Sequence, residues 1–271
     1  MSAGKLSWGR HRLFQVTVSA LFWFSVALEA QAIEVDLELV LAVDISGSMD
    51  TSERTAQRGG YVEAFRHRDV VQAIRKGMIG RINVTYVEWA GSDFQAVVVP
   101  WTVIDDAASA DQFSDTLQAA PTNDFHGTSI SEGLTFAARQ FDLSDHDGIR
   151  QVIDISGDGP NNRGPPVLEA RSQVLARGIT INGLPIVVGR AGGSLPTELL
   201  DIYYEDCVIG GPGAFMITVD NINRFGEAIR RKLVLEIAGR PARIIPAAME
   251  DGQRIDCLIG ERLRRDWDDD R

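Results

Sequence analysis

The sequence is poor in residues that several common chemistries require. Its 271 residues include two cysteines and four histidines, and aromatic residues make up only 7%. Two cysteines allow at most one bridge, which excludes a disulfide-dense scaffold. The histidines beyond the N-terminal segment are His67, His126 and His146, and no serine sits in a G-x-S-x-G elbow. A serine hydrolase of the usual strand–turn–helix kind therefore has no nucleophile here. Positive charge is also scarce, with 27 Lys+Arg against 38 Asp+Glu and a formal net charge of -11. That balance lacks the basic footprint of a nucleic-acid binder. Beyond residue 28 no apolar stretch is long enough to span a bilayer. What the chain does have is 44% hydrophobic residues. That share supports a real core and excludes disorder along the whole length.

The N-terminus reads as an address. Lys5, Arg10 and Arg12 form a positive start, residues 13–28 are mostly apolar, and Ala30-Gln31-Ala32 follows. Basic, apolar, then A-x-A is the order of a secretory signal peptide, with cleavage expected after Ala32. The competing reading is an uncleaved anchor, for which the stretch is short. Cleavage would remove three basic residues and one acid, leaving a chain more acidic than the whole. Export would place Cys207 and Cys257 in an oxidising compartment, where two cysteines tend to pair. The alternative is two buried free thiols.

Short apolar segments alternate with amphipathic ones through most of residues 35–239. Residues 35–44 (VDLELVLAVD) pass from alternation to a continuous apolar run, as suits a strand covered on both faces. Residues 82–90 and 95–101 read as a hairpin around Gly91-Ser92-Asp93, with Pro100 marking an edge strand. Residues 51–76 are helical in character, with an expected break at Gly59-Gly60. Helical stretches follow at 105–119, 129–141, 165–177 and 196–204, and a last helix ends at Gly239. Residues 151–155, 179–188 and 214–219 read as further strands. This alternation predicts a doubly wound α/β fold: a mostly parallel sheet, one antiparallel edge strand, and helices on both faces. Residues 33–239 form the expected domain. Residues 240–271 read as a C-terminal appendage carrying Cys257 and ending in a frayed, solvated tail.

Three places put side-chain oxygens at strand ends. Asp44-Ile45-Ser46-Gly47-Ser48 follows the first strand, Gly127-Thr128 opens a helix, and Gly157-Asp158-Gly159 follows the strand at 151–155. In open parallel sheets, ligands sit outside the carboxyl ends of the strands. Asp44, Ser46, Ser48, Thr128 and Asp158 supply two carboxylates and three hydroxyls. Such a hard-oxygen set favours Mg²⁺, with Mn²⁺ or Ca²⁺ as alternatives, over zinc. Each piece also has a plain reading: a serine or threonine can cap a helix, and Asp-Gly can make a turn.

D-x-S-x-S, a distant threonine and a later strand-end aspartate together resemble the von Willebrand factor A domain. The resemblance covers residues 35–239. It implies that Asp44, Ser46, Ser48, Thr128 and Asp158 form a metal-ion-dependent adhesion site, with Met49 as the residue that often follows the first motif. In that family the serines bind the ion directly, the threonine directly or through water, and the aspartates largely through water. The chain departs from the family in one place. Where the family usually reads T-D-G, this sequence has Ser156-Gly157-Asp158-Gly159, and Asp154 inside the strand is a weaker substitute. The phrases YYEDCVIGGPGAF (residues 203–215) and INGLPI (181–186) resemble a group of exported bacterial proteins of unassigned function.

The resemblance implies a non-enzymatic, exported module that binds a protein partner through a metal, with the partner's acidic side chain completing the coordination. Two alternatives stand beside it. GDGPNN is similar to the acidic motif of haloacid dehalogenase-like phosphatases, which also begin with a strand-end aspartate. Those enzymes need a second aspartate two residues on, and Ser46 cannot shuttle a proton in its place. The other alternative is a structural envelope protein whose ion only stabilises the fold.

Overall fold

The computed structural model describes Met1 and residues 33–47, 49–122, 125–188, 197–239 and 254–269. The expected signal segment with its Ala32 cleavage point, Ser48, and residues 240–253 lie outside the described residues. Every element lies within the unit Ala32–Arg271.

All eight residues of β2 (Leu37–Asp44) are buried. Successive side chains of a strand point to opposite faces. Leu37, Leu39, Leu41 and Val43 accordingly enter one core cluster, and Val40 and Ala42 enter the other. A strand apolar on both faces belongs inside a sheet covered twice. β3 (Ile82–Trp89) and β6 (Gln151–Gly157) flank it in parallel. β7 (Thr180–Pro185) continues beyond β6 in parallel, and β4 (Gln95–Ile104) closes the far edge antiparallel to β3. The order is β4-β3-β2-β6-β7, and a separate parallel pair joins β1 (Ile33–Val35) to β5 (His146–Gly148). Pro100 lies in the edge strand, where the β3–β4 register shifts between Val84 and Tyr86.

Helices α1 (Thr51–Arg66), α2 (Arg68–Arg75), α3 (Ala107–Ala119) and α7 (Phe225–Ile237) supply Tyr61, Phe65, Val70, Ile74, Phe113, Ile229 and Leu233 to the first cluster. Helices α4 (Ile130–Gln140), α5 (Val167–Ala176) and α6 (Thr197–Tyr203) supply Leu134, Ala137, Val174 and Tyr203 to the second. The expected mostly parallel α/β architecture with one antiparallel edge is the architecture found.

Three local expectations are corrected. α1 runs unbroken through Gly59-Gly60 and ends at His67, whose Nδ1 accepts the Asp69 amide and caps α2. Gly60 serves helix packing: a Cβ there would come within 2.7 Å of Ile229 Cδ1 on α7. Residues 214–219 form isolated bridges at Met216 and Val219 rather than a strand. The Asn182 side chain takes the Phe215 amide at 3.0 Å, and Pro185 offers no N–H, so no continuous ladder forms. The described residues of the C-terminal run are helical, as α8 (Ile259–Asp269).

α7 also carries a buried ionic cluster. Lys232 Nζ lies 2.6 Å from Asp154 Oδ1 on β6 and 2.5 Å from Glu236 Oε1, and all three side chains are at most 1% exposed. Asn182 Nδ2 on β7 donates to Glu236 Oε1 at 3.0 Å. Burial, followed by the charge of Asp154, raises the Glu236 pKa to about 7, against the pull of Lys232.

Candidate metal site at the strand ends

Asp44 is the last residue of β2 and pairs in register with Trp89 of β3. On its other side β6 ends at Gly157, with Asp158 next. Strand order reverses between β2 and β6, since the chain passes from β2 to β3 on one side and later returns to β6 on the other. That reversal is the switch point where an open α/β sheet gathers ligands.

The Asp44 carboxylate is fully buried. Ser46 N–H donates to its Oδ1 at 2.7 Å, while Oδ2 has no hydrogen-bond partner. Burial, and after it the negative charge of Asp158, pushes the Asp44 pKa well above the ordinary carboxylate value, despite the opposing pull of Ser46 and of the Asp158 backbone amide. A buried carboxylate with one oxygen unanswered and a second carboxylate nearby is electrostatically costly unless a cation joins it.

Gly157 accounts for the departure from the T-D-G pattern. A Cβ at this position would lie 2.8 Å from Tyr204 Oη, 3.1 Å from Asp44 Oδ2 and 3.3 Å from the Trp89 ring. Only glycine lets the two strand ends and these rings approach so closely. The Tyr204 hydroxyl is buried without a hydrogen-bond partner, and burial followed by the charges of Asp44 and Asp158 raises its pKa strongly. Asp154 does not join this group. It sits three residues inside the strand end, opposite Leu41, and is engaged with Lys232.

The loop after Asp44 is pinned by its neighbours. Ser46 forms a bridge with Phe125, and Gly47 N–H donates to Phe125 O at 2.6 Å. Helix α1 is capped by Asp50, which with Glu53 forms a reciprocal capping box. The capping work is therefore done by Asp50, not by Ser46, which is 1% exposed.

Thr128, at 4% exposed, is held from the β6 side. Its N–H donates to Asn162 Oδ1 at 3.0 Å, and its carbonyl accepts from the Asn162 and Arg163 amides at 2.9 and 3.2 Å. Ser129, next to it, caps α4, and its N–H donates to Ala90 O at 2.8 Å beyond the end of β3. Gly127 has φ +87°, and the Arg163 side chain lies across it. The 160–164 loop thus clamps the threonine loop onto the aspartate loop.

The structure brings Asp44, Ser46, Thr128 and Asp158 to one end of the sheet; Ser48 lies outside the described residues. Sequence reasoning did not single out Tyr204, Asn161 or Asn162. A tyrosine carries no spacing signal, and GDGPNN read as a rival motif rather than as a clamp. Among the described residues no three His, Cys, Asp or Glu side chains converge as a metal cluster. An ion at this edge would rest on two carboxylates and hydroxyls, a set that suits a hard divalent cation. The cysteines are joined as Cys207–Cys257, with Cα atoms 5.6 Å apart.

Known structures share the fold. Proximal thread matrix protein 1 from the mussel byssus, in a form with a zinc-occupied metal-ion-dependent adhesion motif, is 16% identical with a TM-score of 0.54. The match covers 76% of this chain and 48% of that one. The pilus adhesin SpaC from Lactobacillus rhamnosus GG is 14% identical with a TM-score of 0.55, over 75% of this chain and 31% of the adhesin. A von Willebrand factor type A protein from Catenulispora acidiphila is 15% identical, with a TM-score of 0.50, over 75% and 43% of the two chains. The chain spans less than half of each of these proteins, and at such identities they show the fold alone. No curated protein sequence matches it. Residues 34–241 match the family described as protein of unknown function DUF1194. The chain belongs to that family, and its domain shares the fold of the von Willebrand factor A protein and its structural neighbours.

Proposed function

We propose that this chain is an exported, non-enzymatic binding module that captures a protein partner through a divalent ion. In this reading Asp44, Ser46, Ser48, Thr128 and Asp158 hold Mg²⁺, and an acidic side chain of the partner takes the open coordination position. The observation that carries it is the fully buried Asp44 carboxylate, whose Oδ2 has no hydrogen-bond partner and which lies within the field of Asp158. When bound, the ion supplies a positive point in an otherwise acidic chain of net charge -11. Long-range repulsion would otherwise disfavour an acidic partner. Ser46 orients Asp44, Gly157 admits the close approach, and Asn162 fixes Thr128.

Export rests on the basic–apolar–Ala-x-Ala order of residues 5–32, with cleavage after Ala32 and residence in the periplasm or outside the cell. No helix among the described residues is long and apolar enough to cross a membrane. The neighbours named as an adhesin and a thread matrix protein lend weight to a binding role.

Calorimetric titration with Mg²⁺ tests the ion site. The wild type is expected to bind one ion and Asp44→Ala none; equal binding by both would refute the assignment. A pull-down from cell envelope tests the partner reading. Partners retained with Mg²⁺ and released by EDTA are expected, and partners indifferent to EDTA would remove the metal from the mechanism.

A further inference from the structure

The C-terminal segment is built against the back of the candidate site. Cys257 and Ile255 are buried in the same core cluster as α4 and Tyr203, and the disulfide to Cys207 fixes the segment there. α8 begins two residues later, and its second residue, Gly260, is buried. A Cβ at Gly260 would fall 2.1 Å from Asn161 O, so the helix start touches the 160–164 loop with no room for any side chain. Glu261 Oε1 accepts from Asn161 Nδ2 at 2.7 Å. Tyr203 links the same two parts: Asn161 N–H donates to its hydroxyl at 3.1 Å, and the hydroxyl donates to Cys257 O at 3.5 Å.

Asn161 is fully buried and uses its other side-chain face on the site. Its Oδ1 accepts the Ser131 amide at 3.0 Å, in the first turn of α4, three residues after Thr128. Its neighbour Asn162 holds Thr128 by the amide and the carbonyl. Asp158 lies three residues before Asn161 on the same loop. A line of contacts therefore runs from Cys257 and Glu261 through Asn161 to Ser131, and through the adjoining Asn162 to Thr128, on the loop that starts at Asp158.

We propose that the disulfide-anchored C-terminal segment is a positioning part of the site, with Glu261 and Gly260 setting Asn161 and, through it, the threonine and aspartate loops. This rests on the metal reading for its consequence in ion affinity, though not for its consequence in loop order. Partners behind a ligand shell commonly change metal affinity by tenfold or more when removed. Side-chain amides can accept from Asn161 as the carboxylate does, so Glu261→Gln is the conservative rescue.

Two measurements on the purified protein test the proposal. In Mn²⁺ titration, Glu261→Ala is expected to bind about tenfold more weakly, with Glu261→Gln within about twofold and Leu258→Ala, on the exposed side of the segment, unchanged. Wild-type affinity in Glu261→Ala would overturn it. Amide hydrogen exchange without metal gives an independent readout. The Thr128 and Ser131 amides are expected to exchange about tenfold faster in Glu261→Ala and at the wild-type rate in Glu261→Gln. Unchanged exchange would overturn the proposal even if the protein binds no ion. Failure of the metal reading shows separately, as no difference between wild type and Asp44→Ala.

Discussion

Glu236 is the group whose titration should be felt in global stability. Its pKa lies at about 7 in the fold, against about 4.3–4.5 for an unfolded glutamate. Between these values the folded state binds more protons than the unfolded state, so stability falls as pH rises through the window and stays reduced above it. Stability from this group is fully present below about pH 4.5. A difference of roughly 2.5 pK units corresponds to about 3 kcal/mol. Beyond burial, the groups that set the shift come from three elements: Asp154 on β6 raises it, and Lys232 on α7 and Asn182 on β7 lower it; Arg150 before β6 and Tyr61 on α1 also lie within the field of Glu236. Glu236→Gln keeps an acceptor for Asn182 and Lys232 but removes the titration. Urea unfolding followed by circular dichroism, with EDTA present, from pH 5 to pH 8.5, measures the effect. The wild type is expected to lose about 3 kcal/mol more than Glu236→Gln across that range. Asp44 titrates in both proteins and cancels in the comparison, whereas Asp154 is coupled to Glu236, so the difference between the two profiles belongs to that acid pair. Parallel pH profiles for the two proteins, or a wild type that gains relative stability with rising pH, would refute the reasoning.

Other changes follow from the same packing. Lys232→Met leaves two acids buried without their cation and should cost about 3–5 kcal/mol near neutral pH, read from the urea midpoint. Gly157→Ala forces a methyl group against Tyr204, Asp44 and Trp89; a loss of about 1–3 kcal/mol is expected in unfolding, together with weaker Mg²⁺ binding in calorimetry. Reduction of Cys207–Cys257 releases a 50-residue closure. By chain entropy this should lower stability by about 4 kcal/mol, measured by urea unfolding with and without dithiothreitol.

The sequence by itself determined the layered plan. Strand β2 is apolar at nearly every position, so it had to be an inner strand, and the hairpin with Pro100 had to be at an edge. The oxygen-bearing residues were legible because each follows a strand or opens a helix, and the strand ends of a parallel sheet converge. The end of α1, the broken pairing at 214–219 and the helical C-terminus were not legible. Each depends on a partner distant in the chain: Ile229 beside Gly60, Asn182 beside Phe215, and Asn161 beside Gly260. Local propensity reads Gly59-Gly60 as a break and residues 214–219 as a strand, because it does not register long-range contacts. Tertiary structure alone decided which polar residues are buried and what faces them. It placed Asp154 with Lys232 rather than with Asp44, and it made Asn161 the joint between the C-terminal segment and the site. Burial sets the cost of an unpartnered polar atom, and burial is a property of the packed chain, which no spacing of residues along the sequence records.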